Sequence, residues 1–183
     1  GLSLAFPGAG EYYTQEYWKA GIFLAAEITG ITFGLVYNGK GNDQTNFFQN
    51  YADKNWSAAR YADWTRTHAQ QINSGVNPSS YNVFYTNGSV NWHELNRLER
   101  DLGNWYSHSL PTFGQQQYYE LIGKYQQFYQ GWNDADTSLG TYEAINTKLK
   151  TSATRFIYYS HERGKANDFY SASKRPVNLI ILN

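Results

Sequence analysis

A mainly α fold, an irregular bundle of five or six helices joined by aromatic-rich loops, is predicted by three observations. Apolar residues recur at helical spacing in each long segment. Clusters of Gly, Pro and Asn punctuate the chain between those segments. Nothing longer than Tyr81 to Tyr85 reads as a strand. With 183 residues, one helical domain spanning 1–183 is expected. Apolar, membrane- or partner-facing segments lie near 15–37 and 177–183.

The first helix should start after the breaker Pro7-Gly8-Ala9-Gly10, at residues 11–14, and run to Tyr37. The cluster Asn38-Gly39-Lys40-Gly41-Asn42 reads as its C-cap and turn. Its centre, residues 20–37, is apolar but for Glu27, a length at the border between a core helix and a membrane span. Ala26, Gly30 and Gly34 recur every four residues and form a small-residue face on which another helix can pack closely. Trp18 and Lys19 before the run, and Tyr37 and Lys40 after it, suit an interfacial belt.

Asp43 is the expected N-cap of a second helix over 44–72, with Tyr61, Trp64, His68 and Ile72 on one stripe and Phe48, Ala52, Trp56 and Ala59 on its neighbour. Residues 73–91 read as an ordered loop containing the Asn87-Gly88 turn. A helix over 92–106 presents Leu95, Leu98, Leu102 and Trp105. The clearest period follows at 115–132, where Tyr118, Leu121, Ile122, Tyr125, Phe128, Tyr129 and Trp132 form a wide stripe. After a loop at 133–140, a long helix carries Tyr142, Ile145, Leu149, Phe156 and Tyr170 on one side. Pro176 should interrupt or kink it, and 177–182 opens a new apolar segment.

Equal numbers of basic and acidic residues, 15 each, give no general attraction to nucleic acid or to anionic headgroups. The absence of Cys excludes disulfides and thiolate metal sites. Residues 1–7 carry neither a basic n-region nor a cleavage box, and read as a mature N-terminus after export or the tail of a longer hydrophobic segment. The four histidines, His68, His93, His108 and His161, show no H-x-x-x-H spacing. Asn133-Asp134-Ala135-Asp136 matches half of a calcium loop and lacks the Gly and Glu that would complete it. Asn87-Gly88-Ser89 has glycan-acceptor spacing, which is common by chance. No catalytic, cofactor-binding or metal-binding residue is therefore assigned, and no cofactor is expected. Glu27 needs a partner in an apolar helix, and Arg155, Arg163 and Arg175 are the available cations.

The segment Pro7-Gly8-Ala9-Gly10, Tyr13, then Tyr17-Trp18-Lys19 resembles the opening of a domain-of-unknown-function family of Gram-negative envelope proteins, whose P-G-x-G-x-x-Y…Y-W-K entry leads into a membrane hairpin. Tyr118 to Tyr125 with Phe128, Gly131, Trp132 and Asp134, and Arg163, Asn167 and Phe169 before the apolar end, are similar to two further regions of that family. The resemblance implies export or envelope association, membrane-interacting ends and no established activity. The expected function is a non-enzymatic structural or assembly protein of the bacterial cell envelope, with protein partners or self-association, membrane contact and no nucleic acid. Trp18, Ala26, Glu27, Gly30, Gly34 and Tyr37 would form its packing or membrane interface. Tyr118, Ile122, Tyr125, Tyr129 and Trp132 would form an aromatic contact face. The alternative is an aromatic-lined binding module for glycans or peptides, using Trp56, Trp64, Trp92 or Trp132. A hydrolase built on His93 or His161 is the weaker rival.

Overall fold

The computed structural model describes residues 13, 15–103, 106–136 and 154–181, and the side chains of the last helix as far as 176. Five α-helices and two 3-10 turns make up the regular structure of these residues. They are α1 (Tyr17–Asn55), α2 (Ala58–Ile72), a 3-10 turn (Pro78–Ser80), α3 (Trp92–Leu102), α4 (Gln116–Leu121), a second 3-10 turn (Gln126–Gly131) and α5 (Thr154–Ile181). The fold is mainly α, as the periodicities predict, and the only β pairing among the described residues is two isolated bridges. The chain groups into two compact units, Gly1–Thr45 with Gly164–Asn183, and Asn46–Arg163.

Helix α1 corrects the first two predicted boundaries. It does not stop at Gly39 or Gly41 but continues to Asn55. Each glycine costs a helix interior about 1 kcal/mol relative to Ala, a cost that a close contact can offset. Gly41 makes one, described below. The break comes instead at Trp56-Ser57. Trp56 N still donates to Ala52 O at 2.7 Å, whereas Ser57 N turns away to Gly131 O at 2.9 Å. Ser57 is extended (φ −137°, ψ 122°), and its hydroxyl accepts from Arg60 N at 3.3 Å, which starts α2.

This corner anchors the core of the Asn46–Arg163 unit. The Trp56 indole is buried and donates Nε1 to Phe128 O at 2.9 Å. Arg60 Nη1 donates to Gly131 O at 2.6 Å, and Asn133 N donates to Asn55 O at 2.9 Å. Gly131 lies so close to the indole that a Cβ there would overlap it. The interior of this unit includes Tyr61, Leu95, Leu98, Leu102, Ile122, Phe128, Trp132 and Tyr159, each at most 1% exposed. Tyr159 packs against Trp132 with tilted rings whose centroids are 4.9 Å apart, donates Oη to Tyr119 O at 2.7 Å, and lies against Gly123.

The segment 115–132 is not one helix. It folds as α4, a turn through Gly123, and the 3-10 turn that ends at Trp132. Its stripe is nevertheless buried, because the turn folds both halves onto the same core. Helix α3 carries the predicted Leu95, Leu98 and Leu102 inward and ends at Gly103, whose φ of +74° suits glycine. Trp105, Tyr142, Ile145 and Leu149 lie outside the described residues. The loop at 73–91 is ordered, with Tyr85 N donating to Ser89 O and Asn91 N to Val83 O, both at 2.9 Å. Helix α5 begins where Asp134 Oδ2 accepts from Arg155 N at 3.1 Å, and it passes through Pro176 to Ile181 without ending.

Replacing Gly131 by Ala would drive a methyl group into the Trp56 indole, and overpacking of this kind costs about 1–3 kcal/mol. Denaturant unfolding of G131A should show a lower midpoint at unchanged slope. Gly164→Ala, at a helical position with open space around it, should not lower the midpoint.

Candidate functional site: an apolar helix outside a polar seam

Within the unit Gly1–Thr45 with Gly164–Asn183, α1 and α5 run antiparallel. A Cβ on Gly34 would meet Ser173 O at 3.2 Å, and one on Gly41 would meet the Tyr170 ring at 2.6 Å. As α1 advances from 34 to 41, its neighbour thus recedes from 173 to 170. Tyr37 and Phe169 add an edge-to-face contact with centroids 6.2 Å apart. Tyr170 Oη lies 2.9 Å from Asn42 Oδ1, to which it donates, and 3.1 Å from Thr45 Oγ1. Thr45 Oγ1 in turn donates to Gly41 O at 2.8 Å.

The shielded positions of α1 repeat every seven residues. Ala20, Glu27, Gly34 and Gly41 form one row, Gly30 and Tyr37 the adjoining row, and each is at least partly covered. A seven-residue repeat of covered positions is the signature of a left-handed helix pair. In water those rows carry Leu, Ile or Val. Here they carry glycine, alanine, tyrosine and one carboxylate, while the bulky apolar side chains point away. Ile22, Phe23, Leu24, Ile28, Ile31, Phe33, Leu35 and Val36 are all exposed, Leu35 to 69%. Fully burying one such side chain is worth about 1.5–3 kcal/mol, so eight left half-uncovered forgo on the order of 10 kcal/mol. That equals the whole stability of an ordinary domain.

By length and composition α1 can cross a membrane, and none of its most apolar eighteen-residue window is buried. A core helix passes the same two criteria but would be covered. Trp18, 67% exposed with Lys19 Nζ 5.6 Å from its ring, marks one end of the apolar stretch. Tyr37, with Lys40 Nζ at 4.9 Å, marks the other. The nineteen helical steps from Trp18 to Tyr37 span about 28 Å, close to the hydrocarbon thickness of a bilayer of about 30 Å.

The residues expected at this interface divide. Gly34 meets α5, Gly30 and Tyr37 lie on the seam, and Trp18 is exposed. Ala26 corrects the four-residue pattern, since it faces outward and the repeat is seven. Glu27 sits on the seam with no ion pair to a described residue, and Arg155 is occupied by Asp134 at 3.9 Å and by Asn55. The contribution of Gly41, Asn42, Thr45 and Tyr170 escaped the sequence reading, although the spacing 20-27-34-41 could have found Gly41.

The aromatic contact face is corrected outright. Tyr118, Ile122, Tyr129 and Trp132 are buried in the core, and Tyr125 is half-buried under His108, with ring centroids 3.7 Å apart. They pack within their own unit. Trp56, Trp64 and Trp132 are likewise buried, which removes three of the four tryptophans from an aromatic-lined binding surface. His93 Nδ1 lies 3.3 Å from the carboxylate of its neighbour Glu94 and is otherwise open to solvent, its side chain 80% exposed. Among the described residues no three His, Asp or Glu side chains gather as a metal site.

One titratable cluster does stand out in the Asn46–Arg163 unit. Glu99, on the leucine stripe of α3, is fully buried. Its carboxylate accepts from Tyr61 Oη at 2.7 Å and from Asn96 Nδ2 and Leu110 N, each at 2.9 Å. Gln127 Nε2 extends the cluster to Tyr61 Oη at 3.3 Å and to His108 O. Desolvation outweighs these three donors and pushes Glu99 up from 4.5 to about 7. Burial also raises the Tyr61 and Tyr106 hydroxyls. These hydrogen bonds tie α2, α3 and the loop at 106–110 together. No protein-family model matches the chain, and neither does any curated protein or solved structure.

The folded state keeps the Glu99 proton up to about pH 7, whereas the unfolded chain releases it near 4.5. The folded protein therefore binds the extra proton between those values. Its stability is full below pH 4.5 and falls as pH rises to 7, by on the order of 3 kcal/mol. Urea midpoints measured across pH 5 to pH 7.5 should follow that decline, and Glu99→Gln should flatten it.

Proposed function

We propose that this chain is a non-enzymatic structural or assembly protein of the bacterial cell envelope, held in a lipid bilayer by the α1–α5 hairpin. The observation that carries the reading is the inverted distribution on α1, with small and polar residues on the seam and bulky apolar ones outside. Lipid removes the water cost of that outer surface and leaves van der Waals packing and polar contacts to hold helices together. Gly34 against Ser173 O and Gly41 against Tyr170 supply the first, and the Tyr170, Asn42 and Thr45 cluster supplies the second. A cleavable leader would need neither a partner helix nor a seven-residue seam.

Assembly rather than catalysis is the reading because the polar clusters support the fold. Glu99 pins three elements, Asp134 starts α5, and Glu94 is bound by Arg97 at 2.6 Å, which holds its carboxyl below the usual range. The role is that of an accessory subunit or a homo-oligomer whose membrane end is the α1–α5 pair.

The full chain, produced in the presence of phospholipid vesicles, should float with them on a density gradient and resist carbonate extraction. Ile28→Asp combined with Leu35→Asp changes only outward positions. Each Asp costs about 3 kcal/mol in the middle of a membrane helix, so the double variant should lose flotation. Near-UV circular dichroism from the buried tryptophans should stay unchanged. A wild-type chain that remains a monodisperse monomer in detergent-free buffer would overturn the proposal.

A further inference from the structure

The two ends of the α1–α5 pair differ in charge, although the chain as a whole is neutral. At the end reached by residues 38–45 and 164–175 stand Lys40, Lys165, Lys174 and Arg175, against Asp43 and Asp168. At the end reached by residues 13–19 the only described cation is Lys19, and Glu16 Oε2 already pairs with it at 2.6 Å. Lys174 and Arg175 are exposed and follow Ser173, which faces Gly34, so they stand level with the last turn of the apolar stretch, and their side chains are long enough to reach back to a headgroup layer. Lys40 extends over the Tyr37 ring at 4.9 Å, so that an aromatic and a cation share one interfacial level.

Resting on the membrane reading above, we infer that the Lys40, Lys174 and Arg175 end of this helix pair docks on the anionic headgroups of the cytoplasmic leaflet. Two physical arguments select that leaflet. Lys and Arg near the ends of membrane helices are retained on the cytoplasmic side, with Asp and Glu counting little, and here the basic residues number four against one. The cytoplasmic leaflet also carries the negative surface potential that attracts basic residues beside a membrane helix. The chain from 46 to 163 connects α1 to α5 between those basic flanks, so it lies in the cytoplasm. Tyr13 and Gln15, before the apolar stretch, lie on the opposite side.

The chain has no cysteine, so a single introduced thiol reports its own location. Thr86→Cys and Tyr13→Cys, both at exposed positions, would be made separately in the full chain and expressed in a Gram-negative host. Spheroplasts would then be treated with a membrane-impermeant maleimide. The Thr86→Cys chain should be labelled only after lysis, and the Tyr13→Cys chain before it. Labelling of Thr86→Cys in intact spheroplasts would overturn the inference. Carbonate extraction of the same samples separates the two ideas. A carbonate-resistant chain labelled at Thr86→Cys from outside leaves the membrane reading intact and reverses only the orientation. A chain released by carbonate fails both. Changing Lys40, Lys174 and Arg175 together to Gln should abolish the uniform protection of Thr86→Cys. Full protection in that variant would overturn the role given to the basic end.

Discussion

The close approach of the Tyr170 ring to the bare backbone of Gly41 sets the arrangement of the α1–α5 pair. Any side chain at 41 would occupy the space of the ring. With the ring seated, its hydroxyl reaches Asn42 and Thr45, and the register with Ser173 at Gly34 follows one turn pair away. That register assigns the seam to Ala20, Glu27, Gly34 and Gly41. The remaining circumference then belongs to isoleucine, leucine, phenylalanine and valine. Which side chains face out is therefore a consequence of where two glycines allow a second helix to lie.

The second unit uses the same device for a different end. Gly131 beside the Trp56 indole and Gly123 beside the Tyr159 ring let large aromatics pack directly against backbone. The indole then reaches Phe128 O and the phenol reaches Tyr119 O, so each buried polar tip is satisfied. A protein poor in leucine builds part of its interior this way, with aromatic bulk over glycine and the indole N–H of Trp56 and the hydroxyl of Tyr159 directed to backbone carbonyls. Glu99 is a carboxylate admitted to that interior, and it holds three elements in place.

Much of this was legible in the sequence, and the failures share a cause. The leucine stripe of α3 and the Tyr61–Trp64 face of α2 were readable because their spacing is local. Gly39 and Gly41 misled because a glycine that ends a helix and one that admits a neighbour look alike, and the neighbour of Gly41 lies 129 positions along the chain, at Tyr170. The corner at Ser57 was hidden because apolar spacing continues across it, and only the pull of Gly131 O on Ser57 N breaks the helix. At 115–132 the period reported burial rather than helix, since a turn through Gly123 returns both halves to one core. The same burial turned an expected contact surface into interior. Glu99 stood on the leucine stripe from the beginning, where a lone acid among Leu95, Leu98 and Leu102 was the available signal.

Because α1 has no break between Tyr17 and Asn55, its covered row runs from Ala20 through Glu27 and Gly34 to Gly41 without losing phase. Each residue advances a helix by about 100°. Deleting one position between Gly34 and Gly41 would rotate one glycine against the other by that angle, and no adjustment confined to a loop could absorb it. The spacing between Gly34 and Gly41 is thus a mechanical constant of the helix pair: the outward side chains between them can vary, but the number of residues cannot.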